Sequence, residues 1–239
     1  MPYEDNIIDV RVSPSLHPQN VRALAVYSDD TKPLLTQVEE AFDVAYGVVS
    51  KIHDARAAAE TDATLNDNAK IILVANFADK MMDTATSAFD RANASVSNNI
   101  AMLEKQLSEP VQSLAANSSV SREIRDHVRG LKAEGSSAMS FVTNCINNGD
   151  FASASAVLGA PPYLSGLTPE SQAVLLRLFH EKQNPQTAKR LAALKAAQAH
   201  LDRNQGLLFR EIEKGIGGDY RKIALLRKGV NASKKAFGI

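Results

Sequence analysis

Between Lys70 and Leu107 the chain contains neither proline nor glycine, and no other stretch limits the fold as much. Its apolar or small residues recur at Ile71, Ala75, Ala78, Met82, Ala85, Phe89, Ala92 and Val96, in steps of four and three. This heptad seam is the pattern of a helix packed lengthwise on a partner, and the run predicts a rod of about 55 Å. Alanine at Ala75, Ala78, Ala85 and Ala92 lets a partner backbone come close. Beyond Val96 the period slips to Ile100, Leu103 and Leu107. A slip of this kind locally unwinds a supercoil and marks a change of partner. These three residues are therefore candidate partner-binding positions, facing either the C-terminal helices or another subunit. Pro110 closes the helix, because its ring clashes with the preceding turn.

The rest of the chain fits an all-α fold: a long antiparallel helical hairpin or bundle with an extended N-terminal arm and a C-terminal helical subdomain. Of 239 residues 44% are hydrophobic, enough for a core, yet only 5% are aromatic and none is tryptophan. Alanine-rich, aromatic-poor sequence with long periodic runs favours closely packed helices over a sheet.

Residues 1–30 have no helical period and read as the arm. Pro2, Pro14 and Pro18 punctuate it, and Ile7, Ile8, Val10 and Val12 give a short β-like pattern. The arm is expected to lie against its own body or a neighbouring copy. Thr31 can cap a helix that has Pro33 in its first turn. Leu34, Leu35, Val38, Phe42, Ala45, Val49 and Ile52 mark one face of it, and it runs to about Ala59. The polar link Glu60 to Asn68 is short, which predicts an antiparallel hairpin with the long helix.

Shorter helices follow. One runs from Ser121 or Glu123 to about Glu134, carrying Ile124, Val128 and Leu131, with Gly135 ending it. Another begins at Ser136 or Ser137 with Met139, Val142, Cys145 and Ile146, and Asp150 caps a third through Leu158. This pair looks like one helical hairpin of the tetratricopeptide kind, with no second copy at a fixed period. Gly159 to Thr168 is the strongest boundary signal, with Tyr163, Leu164 and Leu167 expected to pin it to a core. It divides a helical bundle, 31–158, from a C-terminal subdomain, 159–239. Thr168-Pro169-Glu170 starts a helix with a stripe of Val174, Leu175, Leu178 and Phe179, and Asn184-Pro185 starts a second long one. The latter shows Leu191, Leu194, Gln198, Leu201, Gln205, Leu208 and Ile212 as a seam with two polar interruptions, and ends at Gly215. After Gly217-Gly218-Asp219 a last helix, Tyr220 to Val230, carries Ile223, Leu225 and Leu226. The end, NASKKAFGI, reads as a tail anchored by Phe237 and Ile239.

Net charge is zero but unevenly spread. Residues 1–67 hold 5 Lys or Arg against 12 Asp or Glu, residues 68–180 hold 9 against 10, and residues 181–239 hold 13 against 5. An acidic front and a basic tail suit head-to-tail contact between copies, or an anionic partner met through the tail. Arg221, Lys222, Arg227, Lys228, Lys234 and Lys235, with no acid among them, could bind phosphate, and Phe237 could stack on a base. Docking of this tail on an acidic protein surface fits equally well.

Chemical motifs are missing. There is no phosphate-binding GxxxxGK[ST], no strand-borne GxGxxG, no GxSxG, no HExxH and no EF-hand spacing. Gly215 to Gly218 follows a helix and reads as its end and a turn. His17, His53, His127, His180 and His200 share no ligand spacing. Glu39-Glu40 and Asp29-Asp30 are adjacent in sequence, so on a helix they point apart. The single cysteine, Cys145, sits in an apolar pattern and reads as a small buried side chain. No catalytic, cofactor or metal residue is therefore assigned, and a non-enzymatic role is expected. The acidic start MPYEDNIIDV lacks the layout of a secretory signal, and no window has the roughly 18 uninterrupted apolar residues of a membrane span. These features predict a soluble protein of a reducing compartment.

The extended arm, long aromatic-poor helices, absent site chemistry and opposite charge at the two ends resemble, in style, structural components of viruses and bacteriophages. That resemblance implies a minor virion protein at or near the head–tail connector, made in host cytoplasm, forming a symmetric multimer and meeting other structural proteins. Two alternatives stand beside it: a cytoplasmic bacterial α-helical adaptor or effector-type binding module, and a nucleic-acid binder acting through the basic tail.

Overall fold

Long periodic runs with sharp breaks between them dictate an all-helical chain, and the computed structural model describes residues 8–112, 114, 118–131 and 137–238. Among the described residues there is no strand. Their α-helices follow in the order α1 (Gln19–Arg22), α2 (Lys32–Glu60), α3 (Asp67–Gln106), α4 (Ser118–Gly130), α5 (Ala138–Asn147), α6 (Phe151–Leu158), α7 (Pro169–Gln183), α8 (Pro185–Ile216) and α9 (Tyr220–Phe237). The described residues form two compact units: residues up to 98 together with those from 193, and residues 99 to 192.

In the first unit α2 and α3 pack as a hairpin, as the short link predicts. The seam of α3 is buried at Ala75, Ala78, Ala85, Phe89, Ala92 and Val96, and α2 contributes Leu35, Val38, Phe42, Ala45, Val49 and Ile52. Phe42 meets Phe89 at 5.2 Å between ring centroids and the His200 ring of α8 at 4.7 Å, so three helices share one core. α2 and α8 approach closely at Gly215, where an added Cβ would stand 2.9 Å from Ile52 Cγ2. Glycine is required there by contact with a neighbour, and its place next to the helix end is incidental.

The seam of α8 is buried at Leu191, Leu194, Leu201, Leu208 and Ile212 as expected, but its two polar positions are replaced by their N-terminal neighbours. Ala197 and Asn204 are buried, while Gln205 is exposed and Gln198 only half-buried. Asn204 satisfies itself locally, donating from Nδ2 to the His200 carbonyl at 2.8 Å. Gln198 reaches sideways and donates to Ser97 Oγ at 3.2 Å. Both registers keep the three-four count; the small Ala197 wins because it lets the helices come close.

The N-terminal segment differs from the β-like reading. From Ile8 onward it is a string of turns, a 3-10 turn at Pro14–Leu16 and the single turn of α1. With no neighbouring strand among the described residues to pair with, its backbone bonds locally and to side chains. Val12, Leu16 and Val21 are buried, so the segment belongs to the core of this unit. Thr31 is also not the side-chain cap expected of it. Its buried hydroxyl donates to the Val26 carbonyl at 2.8 Å and accepts from the Ser28 amide at 2.9 Å, closing the loop before α2.

The second unit is built on Val128, Val142, Cys145, Ile146, Ala154, Val157, Leu158, Leu167, Leu175 and Phe179. Cys145 is buried there, and burial pushes its thiol pKa up. The expected caps form: Asp150 accepts from the Ser153 amide at 3.0 Å and Thr168 from the Ser171 amide at 3.2 Å. Residues 159–168 lie inside this unit. Gln172 donates to the carbonyls of Leu158 (2.9 Å) and Ala160 (2.8 Å), satisfying the end of α6 and tying down the crossing. Leu167 enters the core as expected, whereas Tyr163 and Val174 are largely exposed. The expected helix end at Glu134-Gly135 and the anchor Ile239 lie outside the described residues.

Candidate interaction surface

Where the chain leaves α8, Gly217 takes φ +80 and its position faces the Arg56 guanidinium, so a side chain there would be both strained and crowded. Asp219 then caps α9, accepting from the Lys222 amide at 2.7 Å, and the Tyr220 amide donates to Glu213 at 3.1 Å. The first half of α9 docks on α3. Ile223 is buried, and Arg227 donates through Nη2 to Asp79 at 2.5 Å and to Asn76 at 3.1 Å. The Tyr220 hydroxyl lies 3.6 Å from Met82 Sδ. Burying Ile223 contributes about 1.5–3 kcal/mol and the half-exposed ion pair at most about 1 kcal/mol.

The second half continues outward. The sequence expectation of an anchored tail after Val230 is corrected: the helix persists to Phe237 and is closed by Gly238 in the left-handed region, φ 67. No proline interrupts it, and Lys234 and Lys235 sit in its last turn, where they suit the helix dipole. Every residue from Lys228 to Gly238 is exposed, Phe237 to 76%. Phe237 is therefore no anchor within its own chain.

The exposed half has a pattern. Ile223, Leu226, Val230, Ser233 and Phe237 recur in steps of three and four, so the line that docks on α3 runs on into solvent. Ser233 is the one polar member of that line, and its side chain is too small to screen the apolar residues on either side of it. Lys234 falls one heptad beyond Arg227 and occupies the matching flank. Arg221, Lys222, Lys228, Lys234 and Lys235 are all exposed, while Arg227 is engaged on α3. Leu225, expected in the apolar stripe, is 70% exposed on the other side of the helix.

Ile100, Leu103 and Leu107 fare differently. All three are buried by the chain itself, so they form core and leave no surface for another subunit. Larger side chains beyond the seam slip fill space within the fold, which a heptad count alone does not distinguish from an open interface.

Sequence reasoning does not single out a second surface. Between α2 and α3, Ala55, Ala58, Ala59, Leu73, Val74 and Phe77 line an open hollow of about 360 Å³, with Asp62 the charged residue in its wall. Leu73 is 51% exposed. The available signal is the pair Leu73 and Phe77, four apart and off the buried seam.

Among the described residues no group of His, Cys, Asp or Glu is arranged to hold a metal ion, and no helix is long and apolar enough to cross a membrane. No family model matches the chain, and neither curated proteins nor solved structures compared with it give a match.

Proposed function

We propose that this chain is a non-enzymatic assembly protein that joins copies of itself, and other structural proteins, through helical surfaces. One observation carries the reading: a basic half-helix from Lys228 to Phe237, with Val230 and Phe237 on one line and all of its residues exposed. Val230 and Phe237 carry the line of buried Ile223 out of the fold, and an aromatic side chain left 76% exposed at its end is best explained as one side of a contact. The acidic first third and basic last quarter of the sequence supply opposite charge for head-to-tail association. Within this reading the protein is a minor virion component of a bacteriophage, at or near the head–tail connector; a cytoplasmic adaptor is the alternative, and the α2–α3 hollow favours it as a peptide-sized receptor. A nucleic-acid role rests on the exposed Lys228, Lys234 and Lys235.

Sedimentation equilibrium of the full chain tests the assembly reading. A defined multimer supports it; a monomer up to about 100 μM, well above the micromolar Kd of a modest specific interface, removes it. Duplex DNA affinity that falls steeply with salt and is lost on deletion of residues 219–239 would favour the nucleic-acid reading.

A further inference from the structure

We propose that the outer half of α9 inserts into the hollow between α2 and α3 of a second copy, with Phe237 as the anchor and Lys234 facing Asp62. The inference rests on the assembly reading above and specifies both surfaces of the contact.

The knob is defined by the stripe on α9. Ile223 and Leu226 are covered in whole or in part, while Val230 and Phe237, with the small Ser233 between them, continue the same line exposed to solvent. Ser233 leaves a shallow step in the stripe, so the Phe237 ring stands proud at its end. Phe237 lies ten residues past Arg227, about 15 Å further along the axis. Lys234 precedes the ring by three residues, so one cation lies beside it on the stripe's flank, whereas Lys235, two residues before it, falls on the opposite face.

The hole has the complementary character. Its α2 wall is alanine, Ala55, Ala58 and Ala59, which leaves room for a ring, and its α3 wall offers Leu73, Val74 and Phe77. Asp62 is the one charged residue among the described ones that line it. Its carboxylate accepts from the Thr64 amide at 2.8 Å and the Thr64 hydroxyl at 2.6 Å, which fixes its position and favours its charged form. An aromatic side chain flanked by one lysine and an apolar hollow with one fixed carboxylate are complementary in character and in sign.

The contact must be made in trans. Within one chain, Arg227 holds α9 against the side of α3 that carries Asn76 and Asp79, whereas the hollow opens on the side that carries Leu73 and Phe77. Because α9 is one unbroken helix to Phe237, its end cannot turn back to its own hollow without melting. Pairing of two α9 stripes is disfavoured by charge, since residues 221–238 carry six cations and no anion. Each copy thus gives a helix at one place and receives one at another, a head-to-tail contact.

Complementary blocked variants test this. Phe237→Glu removes the knob and leaves the hollow; Leu73→Glu fills the hollow's mouth with charge and leaves the knob. Both residues are exposed, and circular dichroism confirms that each variant folds. In sedimentation velocity of the full chain, each variant alone is expected to run as a monomer, with self-association weakened about 30-fold or more. An equimolar mixture is expected to form a one-to-one dimer and stop there, because each partner keeps one working half. Asp62→Lys is expected to weaken association about tenfold, and Lys234→Glu to restore it in that background. If the unaltered chain is a multimer and the two blocked variants remain multimers, or their mixture stays monomeric, the interface is wrong while the assembly reading stands. A monomeric unaltered chain removes both. If Phe237→Glu abolishes binding to a short DNA duplex and leaves sedimentation unchanged, α9 is a nucleic-acid surface and the proposal is overturned.

Discussion

The two ends of the chain contrast in an instructive way. Residues 8–30 have almost no regular structure, yet they are bound tightly into the first unit; α9 is a regular helix, yet its outer half is exposed along its whole length. The N-terminal segment is held by a polar lattice over buried apolar points. Asp9 donates its amide to the Tyr46 hydroxyl at 2.7 Å, which donates back to the Asp9 carbonyl at 3.1 Å, and Asp9 Oδ2 accepts from Ser50 at 2.6 Å. Arg11 links Asp9 and Asp54, both at 2.7 Å. The Ser13 amide donates to buried Glu211 at 2.8 Å, and Lys214 donates to the Arg11 carbonyl at 3.0 Å. Regularity and anchorage are separate properties: a helix satisfies its own backbone and can stand in solvent, whereas an irregular segment must borrow partners and is therefore fastened.

Perturbing each end should expose this difference. The largest effect is expected at Leu16, fully buried in the irregular segment: Leu16→Ala should cost about 2–5 kcal/mol in urea unfolding. Next comes Gly217→Ala, where a positive φ and the Arg56 guanidinium together should cost about 1–3 kcal/mol in the same measurement. Acid should act on the first unit in two steps. Burial holds the pKa of His53 and His200 down, aided by Arg11 and Lys214 near the first and Arg203 near the second. Folded histidines that resist protonation make stability fall once pH drops below about 6.5, and His200→Gln should flatten that slope in pH-dependent melting. Asp9 follows: Arg11 and Ser50 hold its carboxyl well below the usual range, so its contribution is present above about pH 4 and lost as pH falls further. Limited proteolysis should then begin cutting within residues 8–30. The smallest effect is expected at Phe237→Ala, within about 0.5 kcal/mol of the unaltered chain in urea. A large loss there would mean that Phe237 supports its own fold and would erase the contrast.

What is legible in the sequence follows the range of the interactions. The α3 seam, the α2 face and the caps Asp150 and Thr168 rest on contacts within a few residues or on a repeating pattern, and all are found. The anchoring of residues 8–30 depends on pairs such as Ser13 with Glu211, 198 positions apart, which no local pattern encodes. The leucines of the α8 seam are found, but the positions between them are off by one, because Gln198 and Ala197 both satisfy a three-four count and only a neighbouring helix decides between them. The basic positions of α9 are readable from composition, but its length is not: Gly229 and Asn231 lower helix propensity where the tail is expected to begin, and the helix runs through both. The hollow between α2 and α3 arises from the pairing of two helices, and neither run alone announces it.

The turn at Gly217 has one more consequence. A left-handed glycine walled in by Arg56, followed by an unbroken helix capped at Asp219, fixes the bearing on which α9 leaves α8. A stiff pointer at a fixed bearing imposes the same rotation at every joint it makes. Whether a series of such joints returns to its starting point as a ring or advances as a filament is then set at this one turn, beside the α2 wall of the hollow.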